Sequence, residues 1–162
     1  MMLEDRLAVL ENIREIEQLK YRYARCCDTG YDLDGFRSIF VADGTWSANG
    51  YGEYHGHQEI CDFFQALSQS VVDVLHYVTS PHITIAEDGR TAAGTFSLLC
   101  LSRFRRKDDK KLIDFVVILG VYDDKFVKTN AGWRFESIKV NVSHVNRRDT
   151  QSEPTVKQEV GP

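Results

Sequence analysis

The chain predicts an α+β fold in which N-terminal helices are followed by long β-strands joined by hairpins, the strands forming a curved antiparallel sheet wrapped around the helices. Three observations carry this expectation. Apolar residues recur at three- and four-residue steps from Leu3 to Cys27, the period of a helix with one buried face. Beyond residue 70, strand-like segments succeed one another across short polar connections. The 162 residues, 43% hydrophobic and 27% charged, match one domain built on a single core. The domain is expected over 1–146. Residues 147–162, aperiodic and rich in Gln, Glu, Pro and Thr, are expected to form a flexible C-terminal tail.

Leu3, Leu7, Leu10, Ile13, Ile16, Lys20, Tyr23 and Cys27 line one stripe of a first helix of about seven turns, which Thr29-Gly30 stops. A second, short helix starts at Asp32 or Asp34, carries Phe36, Ile39 and Phe40, and is closed by Ala42-Asp43-Gly44. A short strand is expected over 45–49, a turn at Gly50-Tyr51-Gly52, and a third helix over 58–70 with Ile60, Phe63, Phe64 and Leu67 inward. Four long strands follow over 75–85, 91–105, 111–125 and 133–144. The first is expected to break at Ser80-Pro81, and Glu87-Asp88-Gly89-Arg90 is its turn into the second.

Composition narrows the function classes. A net charge of −4 argues against nucleic acid as a partner, because phosphate binding needs a basic footprint. The run Arg103-Phe104-Arg105-Arg106-Lys107 is offset at once by Asp108-Asp109 and reads as a solvated strand end. The four cysteines, Cys26, Cys27, Cys61 and Cys100, show no C-x-x-C spacing and lie among apolar residues, the pattern of reduced core thiols. His55 and His57 flank Gly56 without further ligands nearby, so no metal is expected. No apolar run approaches a membrane span, no signal segment is expected, and the expected location is cytoplasmic. No Gly-rich phosphate loop is present, and no cofactor is expected.

Two residues stand out chemically. Asp28 ends the first helix, and His76 interrupts the apolar run Val74-Leu75-His76-Tyr77-Val78. A carboxylate beside an imidazole fixes the ring's tautomer and stabilises the imidazolium after proton transfer. Read alone, Asp28 is a turn carboxylate at a helix end whose dipole disfavours it, and His76 is a core histidine bonded to backbone. Strand alternation puts His76 on one face with Val78, opposite Leu75 and Tyr77.

The order helix–helix–strand–helix–long meander resembles the cone-shaped SnoaL-like division of the nuclear transport factor 2-like superfamily, an α+β barrel also called cystatin-like. The resemblance is carried by Tyr21-Arg22-Tyr23-Ala24-Arg25-Cys26-Cys27-Asp28, then Asp34-Gly35-Phe36-Arg37-Ser38-Ile39-Phe40 and Asp43-Gly44-Thr45-Trp46. Tyr54-His55-Gly56-His57-Gln58-Glu59-Ile60, His76-Tyr77-Val78-Thr79-Ser80-Pro81 and Gly132-Trp133-Arg134-Phe135 continue it. Within the superfamily the chain is similar to the branch of bile-acid 7α-dehydratase, hexachlorocyclohexane dehydrochlorinase and scytalone dehydratase, which eliminate water or HCl with an Asp–His pair. Asp28 and His76, 48 positions apart (76 − 28), fall at that pair's spacing. Tyr23 matches a tyrosine of the bile-acid enzyme. Those relatives carry an arginine on the last strand, where the nearest basic residue here is Lys139, and the extra histidine of scytalone dehydratase has no counterpart over 91–105.

The resemblance implies a cofactor-independent lyase of dehydratase type acting on a hydrophobic, carbonyl-bearing or cyclic molecule. Asp28, His76 and Tyr23 would be catalytic, and Trp46, Tyr51, Tyr54, Phe64 and Lys139 would bind substrate. The rival readings are an isomerase or cyclase of the ketosteroid isomerase or polyketide cyclase type, and a non-catalytic binding module or small subunit of a ring-hydroxylating oxygenase. Phe96, Leu98 and Cys100, with Phe115, Val117 and Leu119, alternate along two strands and suggest a broad outer face; a homo-oligomer, dimer or trimer, is expected.

Overall fold

The computed structural model describes residues 2–149. In chain order the elements are α1 (Leu3–Asp28), α2 (Leu33–Ile39), β1 (Phe40–Ala48), β2 (Gly52–His55), α3 (Gly56–Ser68), β3 (Val71–Ile85), β4 (Thr91–Arg105), β5 (Ile113–Thr129) and β6 (Gly132–Asp149). The six strands form one curved, unclosed sheet in the order β2-β1-β6-β5-β4-β3, with the helices against it. Because β6 runs to Asp149, residues 147–149 belong to the sheet. The rest of the expected tail lies outside the described residues.

The sheet is mixed rather than purely antiparallel. β3, β4, β5 and β6 form the expected antiparallel meander, whereas β1 lies parallel to β6, with Trp46 opposite Ile138 and Ala48 opposite Val140. Hairpin turns set the direction of consecutive strands. β1 meets β6 only after the whole meander has returned, so no local turn specifies that pair. The chain also passes from α2 straight into β1 at Phe40, and Ala42-Asp43-Gly44 forms a register break inside β1 instead of closing the helix. Ser80-Pro81 likewise interrupts the pairing of β3 without ending it; Ser80 takes φ 52° where the register shifts between Thr79 and His82.

α1 packs along the concave side of the sheet through Ile16, Leu19, Lys20, Tyr23 and Cys27, all buried. Its first turns overhang, leaving Leu3, Leu7 and Leu10 exposed. α2 begins with Asp32 accepting from the Gly35 amide at 3.0 Å. Gly35 is where α2 touches α1: a Cβ there would lie 2.5 Å from Cys26 Sγ and 2.6 Å from Asp32 Oδ2. Phe36 and Phe64 stack at 4.3 Å and tie α2 to α3, while Tyr23 meets Phe36, Tyr122 and Phe135 at 6.0 Å each. Such pairs add roughly 0.5–1.5 kcal/mol each to the area they bury.

The two faces of the meander are not those suggested by the apolar alternation. Phe96, Leu98 and Cys100 point inward and are buried, while Phe115, Val117 and Leu119 take the opposite face. Cys100 pairs with Ile118, so the inward residues of β5 are the even-numbered ones. Both faces of these strands are apolar, and alternation alone gives no sign of which is the core. The true outer face carries Leu75, Tyr77, Leu99, Leu119 and Val121, all exposed.

Candidate active site

α1 and β3 bring Asp28 and His76 together. β3 is the last strand of the sheet, so one of its edges has no strand partner. On that edge the His76 backbone amide donates to both carboxylate oxygens of Asp28, at 3.1 and 3.2 Å. The imidazole Nδ1 lies 2.7 Å from Asp28 Oδ1. The Asp28 carboxylate therefore satisfies an edge amide and orients the ring at once, and both effects offset the unfavourable helix dipole at its position. α1 ends there because the Thr29 amide returns to the Arg25 carbonyl at 2.9 Å and Gly30 turns left-handed at φ 86°. Tyr31 follows at φ 64°, an uncommon conformation for a bulky residue, and its ring stacks on Phe64 at 5.5 Å.

With Nδ1 engaged by Asp28, the other side of the imidazole faces a largely apolar cavity between the helices and the sheet. The cavity has about 80 Å³ open to the centres of water-sized molecules. Tyr23, Tyr31, Trp46, Phe64, Leu98 and Cys100 are among its walls. Asp28 stands behind the ring, reached from a separate surface groove beside Tyr77 and Thr79. Burial pulls the His76 pKa down, but the hydrogen bond to Asp28, the hydrogen bond and charge at Cys100, and the Asp28 charge together outweigh it and raise it to about 9. At neutral pH the resting imidazole is thus held in its protonated form.

Tyr23 lies deeper, fully enclosed, and its hydroxyl accepts from the indole Nε1 of Trp46 at 2.8 Å. Burial pushes the Tyr23 phenol well above its usual range, so it is a neutral donor. Since Trp46 takes an acceptor site, the hydroxyl proton remains free to point elsewhere. One helical turn earlier on α1, Lys20 forms a wholly buried ion pair with Asp124 of β5 at 2.8 Å. Its ammonium lies 3.1 Å from the centroid of the Tyr122 ring, which also lines the cavity.

Of the residues expected to bind substrate, Trp46, Tyr51 and Phe64 line the cavity. Tyr54 stands one layer behind: its ring stacks on Phe63 at 4.3 Å and its hydroxyl donates to the Tyr51 carbonyl at 2.8 Å. Lys139 is on the wrong face altogether. Ile138 and Val140 of β6 turn inward and are buried, so Lys139 between them is exposed on the outside of the sheet. The last strand presents only Val140 and Val142 to the cavity, without a basic group. Cys100, Tyr31 and the Lys20–Asp124 pair are additions that sequence reading passed over. A lysine on the apolar stripe of α1 was the one legible sign among them.

His57 Nε2 lies 3.1 Å from the Phe40 carbonyl and His55 Nε2 lies 3.1 Å from Glu53 Oε1. Among the described residues no group of three His, Cys, Asp or Glu is arranged to hold a metal ion. No helix among them is long and apolar enough to cross a membrane. The basic run is internally balanced, with Arg106 Nη2 2.6 Å from Asp108 Oδ2, and Arg103 is paired with Asp73.

Solved structures share this architecture. A protein from Novosphingobium aromaticivorans assigned as an aromatic ring hydroxylase superposes with a TM-score of 0.76 at 23% identity, covering 86% of this chain and 94% of its own. A hexachlorocyclohexane dehydrochlorinase from Novosphingobium barchaimii superposes at 0.76 with 19% identity, over 88% of this chain and 93% of that one. A second Novosphingobium aromaticivorans protein, assigned as a scytalone dehydratase, gives 0.76 at 15% identity, over 93% and 97%. At these identities the likeness concerns the fold. No curated protein matches the chain. The model of the SnoaL-like domain matches residues 8–139, which span most of α1, all of α2, most of the cavity wall and most of the sheet, and the chain belongs to that SnoaL-like family.

Proposed function

We propose that the chain is a cofactor-independent lyase of dehydratase type, performing β-elimination on a hydrophobic, carbonyl-bearing or cyclic small molecule. The observation that carries the reading is the Asp28-oriented imidazole of His76, 2.7 Å from its carboxylate, presented to a cavity that also receives the Tyr23 hydroxyl. In its neutral form His76 takes a proton from the carbon beside the carbonyl, and Asp28 stabilises the imidazolium that results. Tyr23 donates to the developing oxyanion. The imidazolium then returns its proton to the leaving hydroxyl. Trp46, Tyr51 and Phe64 supply an apolar, aromatic surface for the substrate skeleton.

The dehydrochlorinase and dehydratase-assigned neighbours support a lyase reading at the level of class. The close Asp28–His76 contact weighs against a purely non-catalytic module. The exposed apolar outer face of the sheet supports a homo-oligomer, dimer or trimer, and the four free cysteines support a reducing, cytoplasmic setting. The test is turnover of a panel of β-hydroxy ketones and cyclic alcohols by wild type, Asp28→Asn and His76→Ala, with products analysed by mass. Loss of water in wild type and its abolition in both variants is expected. A product of unchanged mass identifies isomerisation instead, and full activity in both variants removes the dyad from the chemistry.

A further inference from the structure

Directly across the sheet from His76 stands Cys100 of β4. The His76 amide is turned outward to Asp28, so this antiparallel pair does not exchange backbone hydrogen bonds at His76. Non-hydrogen-bonded pairs hold their Cα atoms only about 4.5 Å apart and bring their side chains closest. Both side chains line the cavity, which places the thiol beside the imidazole on the same face of the sheet. Asp28 holds Nδ1, so in the neutral form of the ring Nε2 is the nitrogen able to receive the thiol proton. Carboxylate, imidazole and thiol thus follow one another in the order of an activated nucleophile, inside a cavity that admits a small molecule.

The geometry points to Cys100 as a second reactive group of the cavity, a thiol activated by the Asp28–His76 pair that forms a thioether with α,β-unsaturated carbonyl compounds. The thiol proton passes to Nε2 and the sulfur attacks the β-carbon. A C–S bond forms while the C=C π pair moves to the carbonyl oxygen as an enolate, within reach of the Tyr23 hydroxyl. The imidazolium then protonates the α-carbon, so thiol and enone combine without oxidant or reductant. The inference goes beyond the elimination proposed above and touches it at one point: α,β-unsaturated carbonyls are what β-elimination beside a carbonyl releases. The same cavity would capture part of its own product, and Cys100 would set how strongly that product inhibits.

The test incubates the full chain with cyclohex-2-en-1-one at pH 9, where the neutral imidazole is populated, and follows adduct formation at each cysteine by peptide mass mapping. All four cysteines are buried and Cys100 is not the most exposed, at 4% against 8% for Cys26, 1% for Cys27 and 2% for Cys61, so exposure alone would favour Cys26. Labelling of Cys100 at least about tenfold faster than of the other three is expected, falling by about tenfold or more in His76→Asn. Equal labelling of all four cysteines in wild type overturns the inference, as does an unchanged Cys100 rate in a folded His76→Asn. The comparison among cysteines within one wild-type sample holds even if the variant does not fold. Labelling requires no turnover, so its failure leaves the lyase reading standing, and loss of lyase activity leaves the labelling result standing.

Discussion

The Lys20–Asp124 pair offers a quantitative test of how the core behind the Tyr122 wall of the cavity is built. Both side chains have no solvent exposure, and the ammonium is 2.8 Å from Asp124 Oδ2. Rings of Tyr23, Phe96, Tyr122 and Phe135 surround it, Tyr122 most closely at 3.1 Å. At an effective dielectric of about 20, two unit charges at that separation attract by about 6 kcal/mol, against several kcal/mol of desolvation for each ion. Desolvation prevails on both sides. Burial pulls Lys20 from 10.5 to about 8 against the opposing pull of Asp124, and pushes Asp124 from 3.8 to about 6 against that of Lys20. Each displacement corresponds to about 3 kcal/mol disfavouring the ionised form.

The sign follows for each group. A lysine depressed on folding costs stability below about pH 8, and the cost fades as pH rises towards 10.5; a carboxylate raised on folding costs stability above about pH 6, and the cost fades as pH falls towards 3.8. Between about 6 and 8 both costs are present. Lys20→Met or Asp124→Leu alone leaves one enclosed charge without its partner and should cost about 3–5 kcal/mol. The double variant should lie within about 1 kcal/mol of wild type or above it, with its advantage greatest in that pH window. Urea unfolding followed by circular dichroism at several pH values measures all four proteins. Single variants costing under about 1 kcal/mol, or a double variant as unstable as the sum of the singles, would refute the reasoning.

Four further outcomes are expected. If neutral His76 is the base, kcat/KM should rise about tenfold per pH unit below its raised value and level near about 9; a flat profile through neutrality would contradict the raised imidazole. The stability linked to His76 should be fully present below 6.5 and lost as pH rises through about 9, by about 3 kcal/mol in all, which the difference between wild type and His76→Asn in unfolding at pH 6 and pH 10 would show, the Lys20 contribution being common to both. Tyr23→Phe leaves the buried Trp46 indole N–H without its acceptor and should cost about 1–3 kcal/mol, with Trp46→Phe in the same background recovering part of it, read by thermal unfolding. Lys139→Ala should leave kcat/KM within about twofold of wild type, because the side chain is outside the sheet; a loss of tenfold or more would return Lys139 to the substrate site.

Much of the local structure was legible because it is written in short-range periodicity. The stripe from Ile13 to Cys27 placed α1, and β4 occupies the expected 91–105 because its ends are bounded by Asp-Gly and Asp-Asp turns. Ala42-Asp43-Gly44 misled because turn-forming residues serve equally as a helix stop and as a bulge, and only pairing with β6 distinguishes the two. Phe96 and Leu119 were assigned to one face because a strand apolar on both sides carries no inside-outside signal. Lys139 is one residue out of phase with Val140, and a one-residue difference in a strand moves a side chain from the cavity to the outside.

By itself, the sequence determined the α+β class, the order of its elements and the family likeness, and it singled out Asp28 and His76 as candidates for proton transfer, since all of these rest on residue type, spacing and local period. Only the tertiary structure decided that Asp28 binds both the edge amide and the ring of His76, that Cys100 faces that ring, and that Lys20 is enclosed with Asp124. Each of these contacts joins positions from 24 to 104 residues apart (100 − 76 and 124 − 20), brought together by the register of the strands and the seat of α1 in the sheet. No local pattern encodes such distances. They follow from how a curved, unclosed sheet wraps around α1.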